Sequence, residues 1–315
     1  MVKADNGIVA RSVRLEFEKL AEGSNSPLDW YDNDAALTEI FHALSITFPA
    51  GETFFIDTVV RYGSRIKEKR PELWKQVQQF FKQEAMHTAI HEQWNARIER
   101  EFHHPMSQLE DAVERRLKRV KRFLDHRSQL AVTACLEHFT AGLGKVLLDS
   151  PGGTQVQMKS KQPFRSLWIW HALEELEHKS VSFDVYEFLN GGYLRRCLVM
   201  LFVTGKFMFV VTKIWWGLIA RRKLSRLASV RKYLLFMLWN PGILVRFFPH
   251  WLAWFIPGYH PTWFSSHEGS LINRYIKLLK RDSEVTKDSR GKTTFVFRPS
   301  FPTFAAIGAF APAKL

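Results

Sequence analysis

The chain has only two cysteines, Cys135 and Cys197, far apart and in motif-free surroundings. That excludes a disulfide framework and a thiolate zinc cluster, and it fits a reducing compartment. Glycine (17) and proline (13) are too few among 315 residues for a sandwich or a low-complexity chain, which leaves a mainly helical protein. A hydrophobic share of 46% argues against disorder. Met1 to Ala50 holds no apolar run behind a basic lead, so no signal peptide is predicted. The most informative absence is of acid, since no Asp or Glu lies between Glu187 and Glu268.

That stretch carries most of the formal net charge of +14. Eleven basic residues fall between Leu194 and His260, and without them the chain holds 34 basic against 31 acidic residues. These cations are interleaved with Leu, Phe, Val and Trp, and six of the eleven tryptophans lie between Trp215 and Trp263. The interleaving argues against a nucleic-acid partner. It points instead to an interfacial or monotopic anchor on an anionic membrane surface. Cys197 to Ala220 is long and apolar enough to span a bilayer, but Lys206 and Lys213, seven apart, share one face and make a lone span costly. A helix hairpin packed on the rest of the protein is the other reading. The expected location is cytoplasmic, peripheral or monotopic on the inner membrane face, with the oligomeric state open.

The first part of the chain, close to neutral, reads as helix after helix. From Pro71, the positions Leu73, Val77, Phe80, Trp94 and Ile98 step by fours and threes along one buried stripe, and Glu84, His87 and His91 sit in that stripe. A second stripe runs through Phe164, Trp168, His171, Glu175 and His178 and on to Ser182, Val185 and Leu189. Between them, Leu130, Ala134, Ala141, Gly144 and Leu148 make a face shared by Glu137, expected to close at a Ser150-Pro151-Gly152-Gly153 turn. Upstream, Glu52 is the misfit among Phe48, Phe55, Val59 and Tyr62, where Pro49 and Gly51 either start a helix or kink a longer one begun near Asp34. Ser107 to Arg127 reads as a helical crossover opened by a Ser107-x-x-Glu110 capping box. The chain divides into a bundle over 30–190, a basic apolar helical segment over 191–285 that packs on the bundle or on a membrane surface, and an irregular tail over 286–315.

A carboxylate in the middle of an apolar helix face costs several kcal/mol unless something compensates it. Four helices here each place one. Glu52, Glu84-x-x-His87, Glu137 and Glu175-x-x-His178 fit a pair of metal ions, because one Glu from each of two helices plus a Glu-x-x-His from each of two others is the dinuclear carboxylate arrangement of helix bundles. Residues three apart present a carboxylate and an imidazole on one side of a helix. Glu39-x-x-His42 and Glu101-x-x-His104 also match the bare motif, so position in the stripe, not the motif, singles out the others.

The strings FPAGETFF, QEAMHTAIHEQWN, LEHFTAG and WHALEELEHKSVSFDVY, with PGYHP and SLINRYI further on, resemble the predicted metal-dependent hydrolases over roughly residues 40 to 280. That resemblance implies an all-α, ferritin-like four-helix bundle with a C-terminal apolar helical extension. The order His171-x-x-x-Glu175-x-x-His178 is similar to the extra-histidine site of the di-iron arylamine N-oxygenases. The resemblance thus implies catalytic metal ligands Glu52, Glu84, His87, Glu137, His171, Glu175 and His178. His91 is open between ligation, a hydrogen bond that orients His87 or a carboxylate, and a core hydrogen bond. Glu174 and Glu177 point off the line and are expected to pair with basic residues of the crossover, while His138 and Asn95 read as structural.

Iron in such a cage suits dioxygen activation, and zinc or manganese suits hydrolysis by an activated water. The leading expectation is a di-iron oxygenase that takes a hydrophobic small molecule or lipid, with dioxygen as co-substrate and an electron donor. The alternatives are a metal-dependent hydrolase and a non-catalytic metal-binding bundle.

Overall fold

A computed structural model of the chain describes residues 8–16, 29–289 and 292–297. The periodicity does produce helices. Asp34 caps α1 (Ala35–Val60), its Oδ1 accepting from the Leu37 N–H at 3.1 Å, and this one long helix contains Pro49. Proline has no N–H for the carbonyl four residues back. The Ser45 carbonyl accepts instead from Asn95 Nδ2 at 3.2 Å, which ties α1 to the next long helix. After the short α2 (Gly63–Lys69), α3 (Pro71–Phe102) runs for 32 residues from its N-terminal proline. The crossover is α4 (Met106–Phe123). No capping box forms there, because the Ser107 N–H and hydroxyl both donate to Glu99 while Glu110 accepts from Asn95.

Asp125 caps α5 (His126–Leu148) through the N–H groups of Arg127 and Ser128. The expected turn after it is the start of a further helix, α6 (Pro151–Lys159), with Ser150 accepting from the Gly153 N–H at 2.9 Å. The second stripe is broken at Lys179 and Ser180 into α7 (Phe164–His178) and α8 (Val181–Phe188), and the Lys179 ammonium turns aside to Glu268 at 2.5 and 2.6 Å. Gly144 lets α5 and α7 close together, since a Cβ there would lie 3.0 Å from the Ala172 carbonyl oxygen.

The basic segment continues as α9 (Tyr193–Arg221), α10 (Arg226–Leu238), α11 (Ile243–Ala253) and, past a 3-10 turn over Pro261–His267, α12 (Glu268–Arg281). One side of α9 packs on α1 and α5, with the Trp215 indole N–H donating to the Ala36 carbonyl at 2.8 Å. By length and composition α9 could cross a membrane, yet only 22% of its most apolar stretch is buried in the protein. Its other side exposes Leu198, Leu201, Phe202, Phe209 and Trp216 beside Lys206 and Lys213.

A small sheet qualifies the all-α expectation. Strands β1 (Ser12–Leu15), β2 (Glu284–Lys287) and β3 (Thr293–Phe297) lie in the order β1-β3-β2, with β1 parallel and β2 antiparallel to β3. Segments of four or five residues are too short for periodicity to reveal. Their pairing brings the start of the chain onto the segment read as an irregular tail, whose part beyond residue 297 lies outside the described residues. Among the described residues two large hydrophobic cores result, one around Trp30, Phe41, Trp94 and Leu173, the other around Phe54, Phe80, Cys135 and Val181, with a small third cluster of Phe139, Val146 and Phe247. On α1 and α3 the candidate ligands fall in sequence where the helix passes from one of these cores to the other.

Candidate metal centre

The structure brings all seven sequence-selected residues together. Glu52 from α1, Glu84 and His87 from α3, Glu137 from α5, and His171, Glu175 and His178 from α7 are all buried. Their donor atoms form three overlapping groups, Glu52 with His87 and His171, Glu84 with Glu137 and His178, and Glu84 with His87 and Glu175, each within 4.8 Å. The His87 and His171 rings stack 4.2 Å apart. Phe80, Trp170, Phe54 and Phe139, all almost fully buried, lie on the same four helices.

This concentration of charge is poorly satisfied by protein alone. His178 Nε2 lies 3.0 Å from Glu84 Oε1, 3.3 Å from Glu137 Oε2 and 3.4 Å from Glu175 Oε2, and its N–H is aligned only with the last. Among the described residues no donor serves either oxygen of Glu84 or Glu137, nor Glu52 Oε1. Burial, with Glu137 close by, pushes Glu84 well above the ordinary carboxylate pKa, while His178 opposes the shift. Burial together with Glu84 and Glu175 does the same to Glu52, and burial brings Glu137 to about 7. Burial disfavours a charged His178, but Glu137, Glu84 and Glu175 outweigh it and hold its pKa well above the ordinary value. Glu175 goes the other way despite burial, because His178 and His171 face it. Burial and the neighbouring His171 keep His87 neutral.

A second buried Glu/His cluster in the same fold shows what satisfaction looks like. Glu39 receives His42 Nδ1 and His104 Nε2, each at 3.0 Å, and Arg222 at 3.4 Å, while His42 Nε2 accepts from the Trp30 indole at 3.2 Å. The indole can only donate, so His42 Nε2 accepts there and its Nδ1 faces Glu39. His42 and His104 outweigh burial and hold Glu39 well below the ordinary carboxylate pKa. The two bare-motif matches set aside in the sequence are thus one internal network, in which Glu101 takes no part because it pairs with Arg97. The seven-residue cluster lacks such partners, and its carboxylate and imidazole donors fit first-row divalent metals. Two such ions would balance its four carboxylates.

Four of the seven, Glu52, Glu175, His178 and His171, are held from behind by hydrogen bonds, which is how metal ligands are oriented, and a carboxylate stands near a fifth. Thr88 donates to Glu52 Oε2 at 3.0 Å and Thr140 to Glu175 Oε2 at 2.5 Å. Gln83 Oε1 meets His178 Nδ1 at 3.0 Å, and Glu174 Oε2 faces His87 Nε2 at 3.2 Å. His91 Nε2 meets His171 Nδ1 at 3.0 Å, and Ser45, held in turn by Asn95, fixes the other ring nitrogen. His91 therefore stands behind His171, and none of the three donor groups includes it.

Glu174 and Glu177 depart from the expected pairing with the crossover. Arg11, just ahead of β1, reaches Glu174 through its backbone N–H at 3.1 Å and grips Glu177 with both guanidinium nitrogens at 2.7 and 2.9 Å. Gln83 joins them by donating to Glu177 at 2.9 Å. Sequence reasoning missed Arg11, Gln83, Thr88, Thr140 and Ser45. Thr140 alone carried a signal, as a polar residue one turn after Glu137 on a helix otherwise lined with small apolar residues.

A family model described as predicted metal-dependent hydrolase matches residues 9–263. No curated protein and no solved structure matches the chain. That description overturns the oxygenase expectation, along with its dioxygen and electron donor, and agrees with the hydrolase alternative. The physical reason for the error is that carboxylate and imidazole donors do not select iron over zinc or manganese, and an additional histidine does not change that.

Proposed function

We propose, from the premise that the chain belongs to the family of predicted metal-dependent hydrolases, that the seven-residue cluster is the active site of a dinuclear hydrolase acting on a hydrophobic ester or amide. The observation that carries the reading is the set of buried carboxylate oxygens on Glu84 and Glu137 that no protein donor serves. Glu52, His87 and His171 would hold one ion and Glu84, Glu137 and His178 the other, with Glu175 a further donor of the cluster. When bound, such ions polarise a carbonyl and lower the pKa of a water. In this reading α1, α3, α5 and α7 form a ferritin-like four-helix bundle within residues 30–190, and residues 191–285 cover it.

The protein's own groups do the rest. Thr88, Thr140, Gln83 and His91 fix four of the ligands in place before substrate arrives, so little reorganisation is left to the reaction. Phe48 and Thr140 border two apolar cavities, one of about 130 Å3 that also touches His171 and Glu175, the other of about 450 Å3 that also touches Glu52. Together they offer apolar space beside the cluster for a hydrophobic substrate. Thr88 holds Glu52 at Oε2, which leaves Oε1 as the oxygen that would face the metal.

The test is metal analysis combined with hydrolysis of p-nitrophenyl esters and anilides of graded chain length. Close to two first-row ions per chain are expected, with turnover lost on chelation and restored by the metal. A metal-free protein that resists loading, or a loaded one that cleaves none of these compounds, would sink the reading.

The exposed side of α9, with Lys206 and Lys213 among Leu and Phe, complements an anionic bilayer. Binding to vesicles of phosphatidylglycerol is expected at low salt and loss of it at high salt, because screening shortens to a few ångströms. A protein that stays in the supernatant over both conditions would refute the membrane partner.

A further inference from the structure

The larger cavity, about 450 Å3, lies between α1, α4, α5 and α9, within the range of small-molecule sites. Phe48, Glu52 and Thr140 connect it to the carboxylate cluster, and its remaining walls are largely apolar. The charged residues lining it besides Glu52 are three cations, Arg116 and Arg119 on α4 and Lys206 on α9. Their neighbours on α4 are paired, Arg115 with Asp111, Lys118 with Glu114 and Lys121 with Asp57. Among the described residues, no carboxylate forms an ion pair with any of the three that line the cavity. Arg116 gives one N–H to the Ala112 carbonyl at 2.8 Å, and Lys206 lies 5.5 Å from the centre of the Phe202 ring. Arg119, Lys206 and the aromatic rings of Phe123, Phe202 and Phe209 are exposed, which sets the mouth on this side.

We propose that this cavity binds an amphiphile with a single acyl or alkyl chain and an anionic head group. The chain lies along the apolar walls toward Glu52, and the head group sits among Arg116, Arg119 and Lys206. A small anion would leave the apolar walls unused, and a neutral lipid would leave three clustered cations unopposed. The proposal rests on the hydrolytic reading for the fate of the ligand and deepens it by naming the substrate class, an anionic amphiphile whose ester or amide lies along the chain, away from the head group. Hydrolysis joins the water oxygen to the acyl carbon, breaks the C–O or C–N bond, and leaves a proton on the departing oxygen or nitrogen.

Gly51 supplies a sharp test. It lines the cavity, and a Cβ built on it meets no atom within 4 Å, so a large side chain there enters the cavity rather than the core. Isothermal titration of the full-length, metal-loaded protein would use dodecanoate, dodecyltrimethylammonium and acetate below any micelle threshold. Dodecanoate is expected to bind one per chain and at least tenfold tighter than the cationic amphiphile, with no saturable binding of acetate. Gly51→Phe should abolish dodecanoate binding while metal content stays at the wild-type value. The surface double variant Arg119→Ala with Lys206→Ala, away from the core, should weaken dodecanoate about tenfold and leave the cationic amphiphile unchanged. Equal affinity for both head groups, full binding by Gly51→Phe, or no effect of the double variant would overturn the proposal. Selective dodecanoate binding without turnover of any ester or amide would support the cavity's ligand and remove the hydrolytic reading; turnover without selective binding would do the reverse.

Discussion

Glu84→Gln is expected to make the metal-free protein more stable and the metal-supplemented protein less stable than wild type. Glu84 belongs to two of the three donor groups, lies fully buried, and has no donor on either oxygen. Without metal, its charge competes with Glu137 and Glu175 in a buried site where no donor serves Glu84 or Glu137. An amide of the same shape removes that repulsion and can donate to Glu137, a gain on the order of 2 kcal/mol above neutral pH. With metal at a hundredfold excess over Kd, the wild type gains about 2.7 kcal/mol and the variant loses most of that gain. Hydrolysis should fall to background. Thermal unfolding of both proteins with and without metal reads the two signs directly. A variant destabilised in both states, with metal stoichiometry unchanged, would mean that Glu84 is an ordinary structural residue of a self-satisfied core.

Metal loading should release protons, and the release should shrink as pH rises. Metal ligands must be deprotonated. In the metal-free protein Glu137 titrates at about 7 because burial disfavours its charge, Glu84 and Glu52 lie well above the ordinary carboxylate range, and His178 holds its proton against three carboxylates. Below pH 7 Glu137 is largely protonated in the metal-free protein. Indicator-dye titration with metal should therefore show at least one proton released per chain at pH 6 and distinctly fewer at pH 8.5.

The same shifts fix the stability curve. Carboxyls with raised native pKa bind protons that the unfolded chain has lost, so they favour the metal-free fold at low pH. That contribution disappears as pH climbs from about 4.5 through 7 for Glu137. His178, also raised, adds a loss of the same sign at higher pH, while the lowered Glu175 and Glu39 favour the fold above the ordinary carboxylate pKa and the lowered His87 and His91 favour it as pH climbs through the ordinary histidine value. The stabilisation by metal should widen between pH 5.5 and pH 8, because the ligands must lose their protons to bind it. Parallel pH curves with and without metal would contradict ligation by these groups.

The sequence by itself determined the helices and the depth of their polar misfits, since burial leaves a period of about 3.6 residues and a glutamate inside that stripe can be seen locally. Glu52, Glu84, Glu137 and Glu175 were visible for that reason, and so was the acid-free basic segment that became α9 to α11. What periodicity cannot record is which buried groups meet. Glu39-x-x-His42 and Glu84-x-x-His87 look alike along the chain, and only the arrival of His104, Arg222 and Trp30 around the first distinguishes a satisfied network from a cluster whose oxygens have no donor. Arg11 lies 163 residues from Glu174, and it reaches α7 because the neighbouring strand β1 pairs with β3 near the far end of the chain. Helix and strand patterns follow from neighbours a few residues apart, whereas hydrogen-bond satisfaction, cavity walls and the cations that line them follow from contacts between distant segments, and those the tertiary structure alone decided.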